Sequence, residues 1–290
     1  MARLSTTFVA IAALCWGLSG GISGILLADG WDAFVVAFYR GAIGFLFVLV
    51  WLVMSPEDSG LLSRRLWFWS VIAGFGVAGN FAFYFMSIAE GSVAVAATLM
   101  YCAPVFVYLV SFILRLESST PRKWAAITLV MSGIMLLTGI NDVDASSVTQ
   151  FGVWAGLFSG LSYTLFIFAF KYAAPHGSPP AILVIAFGVL VTILVWAGDA
   201  DQMVAVLDSP NWPLFIVLGV LGAGLSFILY IVGLNHVAPA VASIVAMVEP
   251  VTASLFGVVI LNEILNAQQV FGMVLILVTV TALSVHSNAR

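Results

Sequence analysis

Charge is what this sequence has least of. Only 8% of its 290 residues are Asp, Glu, Lys or Arg, against 63% hydrophobic, and the mean hydropathy is +1.18. Soluble domains carry about 25% charged and about 45–50% apolar residues, so water is excluded as the solvent of most of this chain and lipid takes its place. The formal net charge of −4 excludes the basic stripes that nucleic acid requires. The two cysteines, Cys15 and Cys102, lie deep in apolar runs without metal-ligand spacing and read as small core residues. The 3 histidines are peripheral, so no metal and no cofactor is expected. A Gly-x-x-x-x-Gly-Lys-Ser/Thr phosphate loop is absent, and no stretch is long enough for a nucleotide domain. ATP is therefore not expected to drive this protein.

What is present is a series of long apolar runs. A helix needs roughly 20 apolar residues to cross about 30 Å of hydrocarbon. Ten segments meet that requirement: 6–27, 32–54, 66–88, 92–114, 121–139, 150–172, 179–198, 212–234, 239–261 and 267–286. The first follows Met1-Ala2-Arg3 as a signal peptide would, but it has a mate in the repeat described below. Short connections carry the breakers Pro56, Pro121, Pro175, Pro179, Pro210 and Pro239. With ten helices, Arg3, Arg64, Arg65, Arg115, Arg122, Lys123, Lys171 and Arg290 fall on one side and no basic residue falls in the opposite loops. Basic residues mark the cytoplasmic side, so both termini are expected there. Removing one helix would scramble the segregation.

The chain also repeats itself. An offset of 146 places Tyr84 on Tyr230, Pro104 on Pro250, Glu117 on Glu263, Gly76 on Gly222 and Asn80 on Ser226. An offset of 143 aligns Gly17-Leu18-Ser19 with Gly160-Leu161-Ser162. Residues 1–140 and 141–290 thus read as two five-helix repeats of one membrane domain. Five is odd, so the halves must lie inverted in the membrane. Inverted repeats are characteristic of transporters, with the site near the midplane where the halves meet. The expected fold class is all-α integral membrane, ten transmembrane helices in two inverted repeats.

Each half carries a proline at a helix middle and a glutamate thirteen residues later, Pro104 to Glu117 and Pro250 to Glu263, then an apolar helix with a glycine, as in Phe271-Gly272-Met273. In this the chain resembles the EamA-type branch of the drug/metabolite transporter superfamily, over nearly its whole length. Within that branch it is similar to the YddG-type amino-acid exporters. The resemblance implies export of small metabolites by alternating access, through a central cavity lined by the third, fourth, eighth and ninth helices.

Charges inside hydrocarbon cost about 2.5–3.5 kcal/mol each on insertion scales and so call for a reason. Two stand out. At 1.5 Å per residue Arg40 lies roughly 12 Å, and Glu249 roughly 18 Å, below the outer boundary. Neither has a charged mate: Ile185 or a neighbour matches Arg40, and Ala103 matches Glu249. Glu249 is a candidate for the substrate ammonium or a coupling proton, and Arg40 for a carboxylate. The alternatives are that they pair with each other, or that Arg40 snorkels to the interface.

Asn80 with Tyr84, and Ser226 with Tyr230, sit at i and i+4 on one face, with Phe227 alongside, and suit a cavity for an amphipathic molecule. Tyr101, Ser243 and Met247 could join them. Trp16, Trp154 and Tyr163 are weaker candidates, and a tyrosine can equally anchor at the interface. The glycines of the third and eighth segments read first as close helix packing. Trp51, Trp67, Trp69, Trp196 and Trp212 read as interfacial belt residues, His236 as a surface residue, and Glu117 and Glu263 as structural carboxylates at helix starts. Pro104 and Pro250 are candidate gating hinges.

Within transport, the alternative is a drug or organic-cation extruder. From another class, an intramembrane enzyme would want clustered His, Asp or Glu in the bilayer, and only one acid lies deep. The expected partners are a small-molecule substrate and the lipid bilayer, without ATP or nucleic acid. Ten helices can enclose a cavity without a second chain.

Overall fold

The structure is a computed structural model that describes residues 2–56, 58–116, 118–144 and 148–287, with side chains from residue 5 to residue 283. Glu117, and the side chains of Arg3 and Arg290, lie outside the described residues. All regular structure among the described residues is helical. Helices occupy all ten expected segments: α1 (Ala2–Ala28), α2 (Ala33–Met54), α3 (Arg64–Ala89), α4 (Val93–Met100) with α5 (Ala103–Ile113), and α6 (Pro121–Thr138) in the first half. In the second half they are α7 (Gln150–Ala173), α8 (Pro179–Leu194), α10 (Trp212–Gly219) running through a π-helical turn (Val220–Leu225) into α11 (Ser226–Leu234), α12 (Pro239–Val245) with α13 (Val248–Ile260), and α14 (Ala267–Ser287). A short helix not expected from the sequence, α9 (Ala200–Ala205), lies in the connection before α10.

Seven described stretches are long and apolar enough to cross a membrane, and Pro179–Leu194 and Ala267–Leu283 are shorter apolar helices. The protein is a multi-pass membrane protein. Its outward surface is that of a lipid-facing bundle, with Leu46, Val50, Phe68, Phe112, Ile113 and Val259 exposed.

The helices begin where a side chain can serve the first free N–H groups. Asp32 accepts from the Phe34 and Val35 amides at 3.0 and 3.1 Å. Ser63, Ser92, Thr120 and Thr149 do the same for α3, α4, α6 and α7. Lys171, near the end of α7, donates to the carbonyls of Leu234, Asn235 and Val237. Its charge thereby settles at the negative end of α11.

The fourth and ninth expected segments are not continuous. Each is interrupted two to four residues before its proline, at 101–102 and at 246–247. Pro104 has no N–H for the Met100 carbonyl, and the chain passes through Cys102 N–H to Leu99 O and Val105 N–H to Cys102 O, both i to i−3. Pro250 likewise has none for Ala246, whose carbonyl takes the Glu249 N–H at 2.9 Å, while Met247 N–H reaches Ile244 O.

Each break is met by a glycine from the other half. A Cβ on Gly17 of α1 would lie 2.5 Å from Glu249 O and 2.4 Å from Thr252 Cβ. A Cβ on Gly160 of α7 would lie 3.0 Å from Leu99 O and 3.1 Å from Met100 O. These two glycines are the mates found at offset 143. The halves therefore interlock, with α3 packed on α7 and α8, α1 on α11 and α13, and α6 on α14.

Candidate functional site

The first break, at Tyr101, and the opening turns of α13, at Glu249 and Ala253, border a cavity of about 410 Å3. It reaches from the middle of the bundle to Leu27, Ile88 and Val93, at the far ends of α1 and α3 and the start of α4. Of the residues expected from the sequence, Trp16, Arg40, Asn80, Tyr84, Tyr101, Tyr163, Phe227 and Glu249 line it. Its other walls are chiefly apolar, among them Phe81, Phe85, Phe166 and the small residues Gly17, Gly20 and Gly24. The glycine stripe of α1 and Phe166 are lining residues that sequence reasoning misses. A spacing of three to four along Gly17, Gly20 and Gly24 is the available signal, since it clears one side of a helix.

Glu249 sits in the first turn of α13, where the unpaired N–H groups of the helix start favour a carboxylate. It shares the cavity with Arg40 and with Tyr84, Tyr101 and Tyr163. Glu249 Oε2 is nevertheless buried without a hydrogen-bond partner. So are Trp16 Nε1, Tyr163 OH, Ser226 Oγ and Tyr230 OH, five of eight such atoms among the described residues. Buried polar atoms are ordinarily paired, and a cluster of unpaired ones marks room for water or a polar ligand.

Arg40 comes from α2 and enters between α3 and the π-turn. Its Nε and Nη2 donate to the Gly222 carbonyl at 3.2 and 2.9 Å, and its guanidinium lies 5.0 Å from the centre of the Phe81 ring. It therefore faces inward and does not snorkel. An aromatic floor continues beneath: Trp16 against Phe227 at 5.0 Å and Tyr230 at 4.9 Å, and Tyr163 against Phe166 at 4.5 Å.

Five expected residues are not brought to the cavity wall. Ser226, Tyr230, Ser243 and Met247 are fully buried beside it, and the Ser243 hydroxyl is spent on Ala240 O at 2.9 Å. The π-turn accounts for the first two. One extra residue in a turn rotates the remainder of the helix by about 100° relative to an unbroken α-helix, so Phe227 takes the wall position. Trp154 is 60% exposed on the outer face, beside Phe158. It lies nine residues from Tyr163, about two and a half turns, and so on the opposite side of α7. Asn80 reaches the wall with its amide already engaged, donating to Ser159 O and Oγ at 3.2 and 3.0 Å. Pro104 and Pro250 follow the two breaks and do not line the cavity. Glu263 folds its carboxylate over Gly257, His236 is exposed, and Trp69 stacks on Tyr172 at 4.9 Å.

Residues 4–139 and 150–285 each match the EamA-like transporter family. The chain belongs to that family. It is 30% identical over 264 residues to an uncharacterized transporter of Archaeoglobus fulgidus, covering 90% of each chain. It is 24% identical to the uncharacterized transporter YwfM of Bacillus subtilis, over 97% of this chain and 94% of that one. The uncharacterized inner membrane transporter YicL of Salmonella typhimurium is also 24% identical, over 97% and 95%. A solved crystal structure 17% identical in sequence superposes with a TM-score of 0.78 over 98% of both chains, which shows the fold alone. The two matches in one chain make the internal repeat a property of the EamA-like family, and they assign this protein to membrane transport and not to an enzyme class.

Proposed function

We propose that this EamA-like protein exports amino acids, neutral and aromatic ones foremost, by alternating access around the cavity between its two halves. One observation carries the reading: Arg40 and Glu249, the two deep charges of opposite sign, line a single cavity whose other walls are mostly aromatic and apolar. A zwitterion matches that pattern, its ammonium toward Glu249 and its carboxylate toward Arg40, with an apolar side chain against Phe81, Phe85 and Phe166. The volume falls within the roughly 300–1,000 Å3 of small-molecule pockets. In this reading all ten helical segments cross the inner membrane with both termini cytoplasmic, the five-helix halves are inverted, and the breaks before Pro104 and Pro250 act as hinges. Without a nucleotide site, the driving force is a gradient of substrate, proton or counter-ion.

A second reading, an organic-cation extruder, draws support from Glu249 standing among aromatic rings, a setting that attracts cations. Arg40 opposes it. The test is flux into liposomes bearing the purified protein, over the amino acids and a few organic cations at two values of transmembrane pH. Saturable, counterflow-stimulated uptake of neutral amino acids is expected. Uptake of cations alone would favour the second reading, and uptake without counterflow would favour a channel.

A further inference from the structure

The π-helical turn at Val220–Leu225 is a feature that the doubled skeleton does not require. Its mate stretch in the first half, around Gly76, is ordinary α-helix inside the unbroken run Arg64–Ala89. π-turns are rare, hold one residue more than the α-helix would, and recur at functional sites. Here the excess residue has a local effect. The Ser226 N–H bonds to Ala223 O, three residues back, so the Gly222 carbonyl lacks the i+4 donor an α-helix would give it. Arg40 takes that carbonyl with two N–H groups.

Glycine is needed at the contact. A Cβ on residue 222 would lie 2.5 Å from Ser19 Cβ and 3.1 Å from Arg40 Nε. A guanidinium offers five N–H donors. Two point at Gly222, and the other three make no hydrogen bond with any described residue, beside a cavity that Glu249 shares.

We infer that the π-turn is a positioning device, its Gly222 carbonyl fixing Arg40 where it selects substrates that carry a carboxylate. With one residue fewer, the Gly222 carbonyl would return to the Ser226 N–H. The guanidinium would then lose its fixed point and could swing to Glu249, two charges neutralising each other in place of reading a substrate. Held by a neutral carbonyl, Arg40 keeps its charge and its free donors for a carboxylate, which suits a planar fork. The inference rests on the amino-acid reading above and assigns one end of the substrate within it.

The experiment compares phenylalanine with 2-phenylethylamine, which lacks only the carboxylate, in counterflow on liposomes. The full-length proteins are wild type, a Leu221 deletion that resets the turn to α-helix, Arg40→Gln, and the two combined. Each single change should lower phenylalanine transport about tenfold or more while amine transport does not fall, and the ratio of phenylalanine to amine drops accordingly. The combination should be no worse than either, because both remove one interaction. A deletion that keeps the wild-type ratio of phenylalanine to amine, while Arg40→Gln loses it, overturns the device but leaves the amino-acid reading standing. Wild-type protein that carries the amine and not phenylalanine overturns both. If the deletion does not fold, Ser19→Gly with Gly222→Ala keeps the chain length and sets a methyl against Arg40 Nε. Unchanged selectivity there also overturns the inference.

Discussion

The first half of the molecule has an unbroken α3 and an alanine, Ala103, at the start of α5. The second half has a π-turn in the helix that matches α3 and a carboxylate, Glu249, at the matching position of α13. The skeleton around these differences is shared. Both halves break a helix before a proline, and both meet the partner's break with a glycine. What is doubled carries the architecture, and what differs carries the chemistry. The two deep charges and the π-turn belong to the unshared part, and they meet at one cavity.

The largest effect should come from removing the unshared charge. Glu249→Gln keeps the shape and loses the anion, so amino-acid counterflow is expected to fall on the order of 100-fold, the scale of a lost charge-assisted hydrogen bond of up to about 3 kcal/mol. Ala103→Glu added to that variant should not restore it. Ala103 is fully buried and does not line the cavity that Arg40 and Glu249 share, so the new carboxylate would be a buried charge outside that cavity. Recovery of transport in the double variant would show that the halves are interchangeable, against the asymmetry argued above.

Next come the two glycines at the breaks. Both are mates, but their clearances differ. A methyl on Gly17 meets Thr252 Cβ at 2.4 Å and the Glu249 carbonyl at 2.5 Å, whereas one on Gly160 meets carbonyls at 3.0 and 3.1 Å. Overpacking costs about 1–3 kcal/mol. Gly17→Ala is therefore expected to lose about that much in a detergent thermal melt, and Gly160→Ala visibly less. Equal losses would mean that the two crossings have the same tightness.

Helices on the ten expected segments could be read from the length and apolar composition of each run, and the family match confirms the repeat that the Pro104/Pro250 spacing announced. The lining was read less completely, for reasons of register. Asn80 and Tyr84 could be placed from α-helical periodicity because α3 keeps it throughout. Ser226 and Tyr230 could not, since nothing in Val-Leu-Gly-Ala-Gly-Leu announces an extra residue in the turn. Trp154 is a candidate by its chemistry alone, and nine residues from Tyr163 put it on the opposite, exposed side of α7. Arg40 shows the opposite case. A lone charge in an apolar helix is visible in any sequence, but that a carbonyl of another helix anchors it is a tertiary fact.

The smallest effects belong to Asn80 and Ser226, mates by sequence that the two halves use differently. Asn80 ties α3 to α7, donating to Ser159 while the Ser159 hydroxyl returns a bond to Asn80 O at 2.9 Å. Asn80→Ala removes the amide donations to Ser159, keeps the Ser159 hydroxyl on the residue-80 carbonyl, and should cost about 1 kcal/mol, within the range of interhelical hydrogen bonds in membranes. Ser226 Oγ is buried with no partner. Removing an unsatisfied hydroxyl forfeits no hydrogen bond and spares a desolvation cost. Ser226→Ala should therefore leave the melting temperature unchanged or slightly raised in empty protein. A loss of stability as large as that of Asn80→Ala would mean that a bound water or substrate group satisfies Ser226. The polar floor beneath Glu249 would then be part of the site and not a gap under it.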